Sequence, residues 1–255
     1  NVNMAINYER NNMDQYISYS KSIAKHVRNA LIDKTGMSKK QVKAYHKRMT
    51  DMEVKILRAG TDDPKNEYYK EYSRLFDENG GEVINDYIKL MEMNNTEYAL
   101  EKGKYSRDIN LAVEESRELL NNMGKVLTGG LDRMTNVVKM VYDSPIMPRS
   151  ARNYVERINE AKGRIAEGIK DGGYLPHYVL DNVVELNYRM RGLAEAKNVT
   201  SADKAVNSII EKIETMIPDQ AKGRNEIINN IWSKNPFFIL TQYSKDVIAF
   251  NKINF

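Results

Sequence analysis

Apolar side chains in this chain recur at intervals of three and four residues, and nowhere does a convincing alternating strand run appear. Tyr16, Tyr19, Ile23, Val27, Ala30 and Leu31 form one such series, which predicts a helix over residues 5–33 with a single apolar face. Val206, Ile209, Ile210, Ile213 and Ile217 form another, capped near Thr200 or Ser201 and ended by Pro218. A half-buried strand turns every second residue inward, so this rhythm points away from sheet. The expectation is an all-α protein, an irregular multi-helix bundle of nine to eleven helices.

Breakers divide the pattern. Thr35-Gly36 stops the first helix, and Ser38 is an N-cap for a second that runs to about Ala59. Gly60-Thr61-Asp62-Asp63-Pro64 reads as a turn, with Asp63 a cap and Pro64 at the first helical position. Asn79-Gly80-Gly81 separates a helix carrying Tyr68, Tyr69 and Tyr72 from one carrying Val83, Tyr87, Leu90 and Met91. Helices are predicted at 105–123 and 130–142, with Thr128-Gly129-Gly130 as the turn between them. Asp143-Ser144-Pro145-Ile146-Met147-Pro148 is the clearest linker, dividing an N-terminal helical region, 1–142, from a C-terminal one, 149–255. The latter opens with a helix over 149–170 and ends with three or four more.

The strongest interruption is Asp171-Gly172-Gly173-Tyr174-Leu175-Pro176-His177-Tyr178-Val179. Gly172 and Gly173 free the backbone, while Pro176 fixes its own φ and pushes Leu175 into an extended conformation. Tyr174, His177 and Tyr178 bring flat rings with polar tips, suited to locking two helices at a set angle. The predicted role of this aromatic break is structural.

Charge is unevenly spread behind a net +4. Residues 21–60 hold eleven Lys/Arg against three Asp/Glu, whereas 61–130 hold nine against fifteen. Such polarity favours a charged partner or head-to-tail contact between copies; otherwise it marks a solvated helix surface. Within the basic stretch, Lys39, Lys40, Lys43, Lys47 and Arg48 are candidate phosphate contacts, with Lys40, Lys43 and Lys47 on one helical side and Tyr45 and His46 beside them.

Most enzyme chemistry finds no support. There is no cysteine, which closes disulfides, thiolate metal sites and thiol nucleophiles and fits a reducing compartment. The three histidines, His26, His46 and His177, have no metal-ligand spacing, and the first two read as surface residues. Glu114, Glu115 and Glu118 read as a solvated face beside Arg117 rather than a glycosidase pair. Neither a nucleophile elbow nor a phosphate-binding loop occurs. Catalytic, cofactor-binding and metal residues are therefore all expected to be none. No apolar run approaches a membrane span. The chain opens at Asn1 and closes at Phe255 without an initiator Met, which suggests a piece of a longer polypeptide.

A helix ending in Gly-Gly and followed by Tyr174-Leu175-Pro176-His177-Tyr178-Val179 resembles segments of very large, helix-rich bacteriophage virion proteins, including packaged polyproteins of crAss-like and other short-tailed phages. The Asn- and Tyr-rich, Cys-free composition and the closing Asn235-Pro236-Phe237-Phe238 are similar in character. The resemblance implies a structural cargo or ejection protein in the virion interior or at the portal. Its partners would be other virion proteins or copies of itself; failing that, the chain is cytoplasmic. It does not carry polymerase activity over, because no metal-binding polymerase signature is present. The alternative expectation is a nucleic-acid-associated helical protein working through residues 21–60.

Overall fold

The computed structural model describes residues 2–58, 65–78, 80–142, 149–172, 175, 233 and 235–253. Among these residues the fold is all-α, with eight helices and no strand: α1 (Val2–Thr35), α2 (Lys39–Arg58), α3 (Lys65–Glu78), α4 (Gly81–Glu92), α5 (Asn95–Glu101), α6 (Arg107–Tyr142), α7 (Arg149–Asp171) and α8 (Pro236–Ile253). A single turn of 3-10 helix follows α5. The predicted turn at 60–64, the linker at 143–148 and the helix carrying Val206 to Ile217 lie outside the described residues.

The chain divides into two compact units. One lies within residues 1–30, 86–175 and 240–255, the other within 31–85 and 176–239. In the first unit, Ile23, Val27 and Ala30 of α1 are buried at the phase the sequence predicts, and Ile109, Ala112, Val113, Leu119, Leu120 and Met123 are buried along α6. Each fully buried aliphatic side chain of this kind contributes about 2 kcal/mol. Helix α6 packs against α7, and at Gly124 Ile165 and Ile169 of α7 occupy the space a side chain would fill.

The predicted turn at Thr128-Gly129-Gly130 is not a turn; α6 passes through it as one 36-residue helix. Two adjacent glycines cost a helix about 2 kcal/mol together. Leu127 and Leu131, four residues apart and fully buried on one face, outweigh that local cost. Neither glycine adopts a positive φ, so nothing in the backbone uses their freedom.

The second unit is built on α2 packed against α3. Val42, Tyr45, Met49 and Ile56 face inward from α2, and Tyr72, Leu75 and Phe76 from α3. The entry to α2 is a reciprocal cap: the Gln41 backbone N–H donates to Ser38 Oγ, and the Ser38 N–H donates to Gln41 Oε1 at 2.8 Å. Before it, Gly36 ends α1 with φ +69 and an N–H bond to the Ile32 carbonyl. The junction of α3 and α4 is tighter. Gly80 has φ +101, and a Cβ there would lie 2.6 Å from Leu31 Cδ2.

Candidate functional site

Helix α2 presents two different faces. Its inner stripe, at spacings of three and four, is Val42, Tyr45, Met49, Glu53 and Ile56. The opposite side carries Lys40, Lys43 and Lys47, all exposed, with Lys39 and Arg48 exposed at its flanks. At 1.5 Å per residue the three lysines span about 10 Å of helix axis. Arg48 lies 3.7 Å from Glu71 of α3. Among the described residues no carboxylate pairs with Lys39, Lys40, Lys43 or Lys47.

Two residues expected beside this row are elsewhere. Tyr45 is 4% exposed, on the inner stripe, and burial pushes its phenol well above the usual range. His46 is half-buried, with its ring edge-on to Phe237 at 4.6 Å, so it is not the surface residue the sequence suggests. Both follow from helical phase. Position 45 falls in line with 42 and 49, and position 46 flanks that line. Neither of these two rings therefore stands in the basic row to stack on bases.

Glu53 is the residue that sequence reasoning missed. It is fully buried, and its carboxylate accepts hydrogen bonds from three neutral donors: Tyr72 Oη on α3 at 2.8 Å, Ser233 Oγ, and Asn235 Nδ2 at 3.0 Å. Asn235 also donates to Thr50 Oγ1 at 3.2 Å. Its Oδ1 then accepts the Phe237 N–H at 3.1 Å, capping α8 with Pro236 at the first helical position. Burial raises the Glu53 carboxyl to about 7, and the three donors only partly oppose that rise. The sequence held one signal: a carboxylate sitting in phase with an otherwise apolar stripe.

The first unit has its own polar ties. His26 on α1 places Nδ1 at 2.7 Å from Asp108 Oδ1 and Nε2 at 3.7 Å from Glu115 Oε1. Ser22, one turn earlier, donates to Glu115 at 2.7 Å. His26 is thus another correction to a surface reading, since its side chain is only 15% exposed. Glu115 is likewise half-buried rather than solvated, whereas Glu114 and Glu118 are exposed. The two carboxylates approach opposite nitrogens of one ring, which leaves no common point for a metal ion. Among the described residues no cluster has the makings of a metal site.

Arg117 on α6 donates through Nη2 to the carbonyls of Leu90 and Met93, both at 2.6 Å, at the end of α4. Its guanidinium also lies 4.5 Å from the Tyr98 ring centre. Tyr98 is pushed up to about 12 by burial and by Glu114, and donates toward that carboxylate at 3.2 Å. Gly172 of the aromatic break belongs to this neighbourhood. It has φ +76, pairs with Asn94, and would bring a Cβ to 2.5 Å from Asn95 Oδ1. Leu175 is fully buried. Gly173, Tyr174, Pro176, His177 and Tyr178 lie outside the described residues.

The segmental charge imbalance is partly met inside the chain. Lys34–Glu82 and Arg48–Glu71 each join the basic stretch to the acidic one. No family model matches this chain, and no curated protein or solved structure does either.

Proposed function

We propose that this chain is a helical structural module of a phage virion protein, acting through protein–protein contacts as interior cargo or as part of the ejection apparatus. The observation that carries the scaffold reading is where the buried polar groups are used. Glu53 joins α2, α3 and the lead-in to α8; Tyr87 on α4 donates to Ser116 on α6 at 2.7 Å; Arg117 closes the end of α4. Each of these groups joins one helix to another. The phage setting is supported only by the resemblance of the 172–179 segment and the composition.

In this reading the mechanism is mechanical. Helices packed through tyrosine and methionine separate, pass a narrow channel and reassemble. The direct test is mass spectrometry of protease-treated, purified particles from cells expressing the tagged chain with the virus that encodes it; absence from intact particles rejects the setting. A chain that stays folded in strong guanidinium rejects the mechanism.

One observation favours a second reading, in which α2 lies along a nucleic-acid backbone. Lys39, Lys40, Lys43 and Lys47 are exposed and unneutralised by any described carboxylate. Without either ring in the row, contact would be to phosphates and independent of sequence. Changing Lys40, Lys43 and Lys47 together to Gln should lower the slope of log K against log salt by about 3 if each lysine neutralises one phosphate of a duplex. Unchanged retention on DNA excludes this reading.

A further inference from the structure

We infer that Glu53 is a proton-operated latch: as the neutral acid it holds Ser233 and Asn235, which lead into α8, against α2 and α3, and as the carboxylate it loosens them. The inference goes beyond the scaffold reading and does not depend on the nature of any partner. It stands on a cluster of groups. A carboxyl with no solvent exposure is gripped by side chains from α3 and from a segment some 180 residues further along the chain.

The chemistry of the grip allows both protonation states. Tyr72 and Ser233 carry hydroxyls, which donate to a carboxylate and can equally accept from a carboxylic acid. Asn235 Nδ2 donates in either case. Among the described residues the groups facing Glu53 are Tyr45 on its own helix, Tyr72 on α3, and Ser233 and Asn235 on the lead-in. Asp77 acts on Tyr45 together with Glu53, adding negative potential. None of these is a cation. An ionised Glu53 is therefore a buried charge held by neutral dipoles among the described residues, and releasing Ser233 and Asn235 would let water reach it.

Burial lifts the carboxyl from 4.5 to about 7, so the switching range is slightly acid to neutral. Once released, the group returns to its ordinary range, and the opening equilibrium grows with pH until both forms are ionised. Between about pH 5 and pH 8 this predicts an increase in opening on the order of a hundredfold.

The test is hydrogen exchange of the full chain, following the amides of Asn235 and residues 237–240 across that pH range and corrected for the intrinsic rate. The expected result is a loss of protection of that size in the wild type and a flat profile in Glu53→Gln. Equal profiles in the two proteins overturn the latch. A 13C titration of the Glu53 side-chain carboxyl in the wild type needs no variant to fold: a midpoint near 4.5 overturns it and one near 7 supports it. Tyr72→Phe removes one donor from the carboxylate, so that midpoint should rise further, by about one pH unit. An unmoved midpoint contradicts the arrangement.

Discussion

Replacing Gly129 with alanine distinguishes a continuous α6 from two helices joined at a glycine turn. Gly129 sits inside the helix without a positive φ, and a Cβ built there meets only Arg133 Nη1, at 3.9 Å. Alanine would therefore take up ordinary contact at no steric cost. It would also remove the conformational entropy that glycine loses on entering a helix, a difference of about 1 kcal/mol. With an m-value near 3 kcal/mol/M, the urea midpoint should rise by about 0.3 M, measured by far-UV circular dichroism. Gly124→Ala is the internal control. The same propensity gain applies there, but its Cβ would fall 2.4 Å from Ile169 Cδ1 and 3.0 Å from Cγ1. Ile169 is only half-buried and can swing aside, so the two effects should nearly cancel. A Gly129→Ala protein that unfolds at lower urea than the wild type refutes the continuous helix.

Gly80→Ala should destabilise by about 3 kcal/mol, because a left-handed backbone and a 2.6 Å approach to Leu31 act together; thermal unfolding measures it. Arg117→Lys keeps the charge but loses the planar fork that reaches the Leu90 and Met93 carbonyls, and should cost about 2 kcal/mol in urea, with faster amide exchange at the end of α4. Stability should also depend on pH through Glu53. Its carboxyl binds a proton more tightly folded than unfolded, so the contribution is present in full below about 4.5 and lost as pH rises through about 7. The fall amounts to about 3 kcal/mol, and it should vanish from the urea midpoints of Glu53→Gln.

Among the described residues the first helix was legible because an apolar stripe and a breaker coincide in it. Ile23, Val27, Ala30 and Leu31 are buried in the expected phase, and Gly36 and Gly80 stand at breaks between helices with positive φ. The glycine pair in α6 misleads because its local signal is the same as at those turns. What differs is the burial of Leu127 and Leu131 on either side, together with α7 alongside. The basic row on α2 was legible as a row, but its aromatic neighbours were not, since helical phase turns Tyr45 inward. Glu53 and His26 escaped for another reason. Their partners are far away in sequence, Ser233 and Asn235 for one, Asp108 and Glu115 for the other, and no local pattern announces such meetings.

The closure of α4 by Arg117 bears on how this polypeptide matures during synthesis. When a ribosome has extended the chain through Lys104, every residue of α4 and α5 already exists, yet the guanidinium that receives the carbonyls of Leu90 and Met93 has still to be made. Until the first turns of α6 emerge, those two oxygens have only water to bond. The order of translation thus leaves α4 frayed at its end until Arg117 has left the ribosome, and a released chain ending at Lys104 should be cut by protease near Met93, whereas the full chain should resist there.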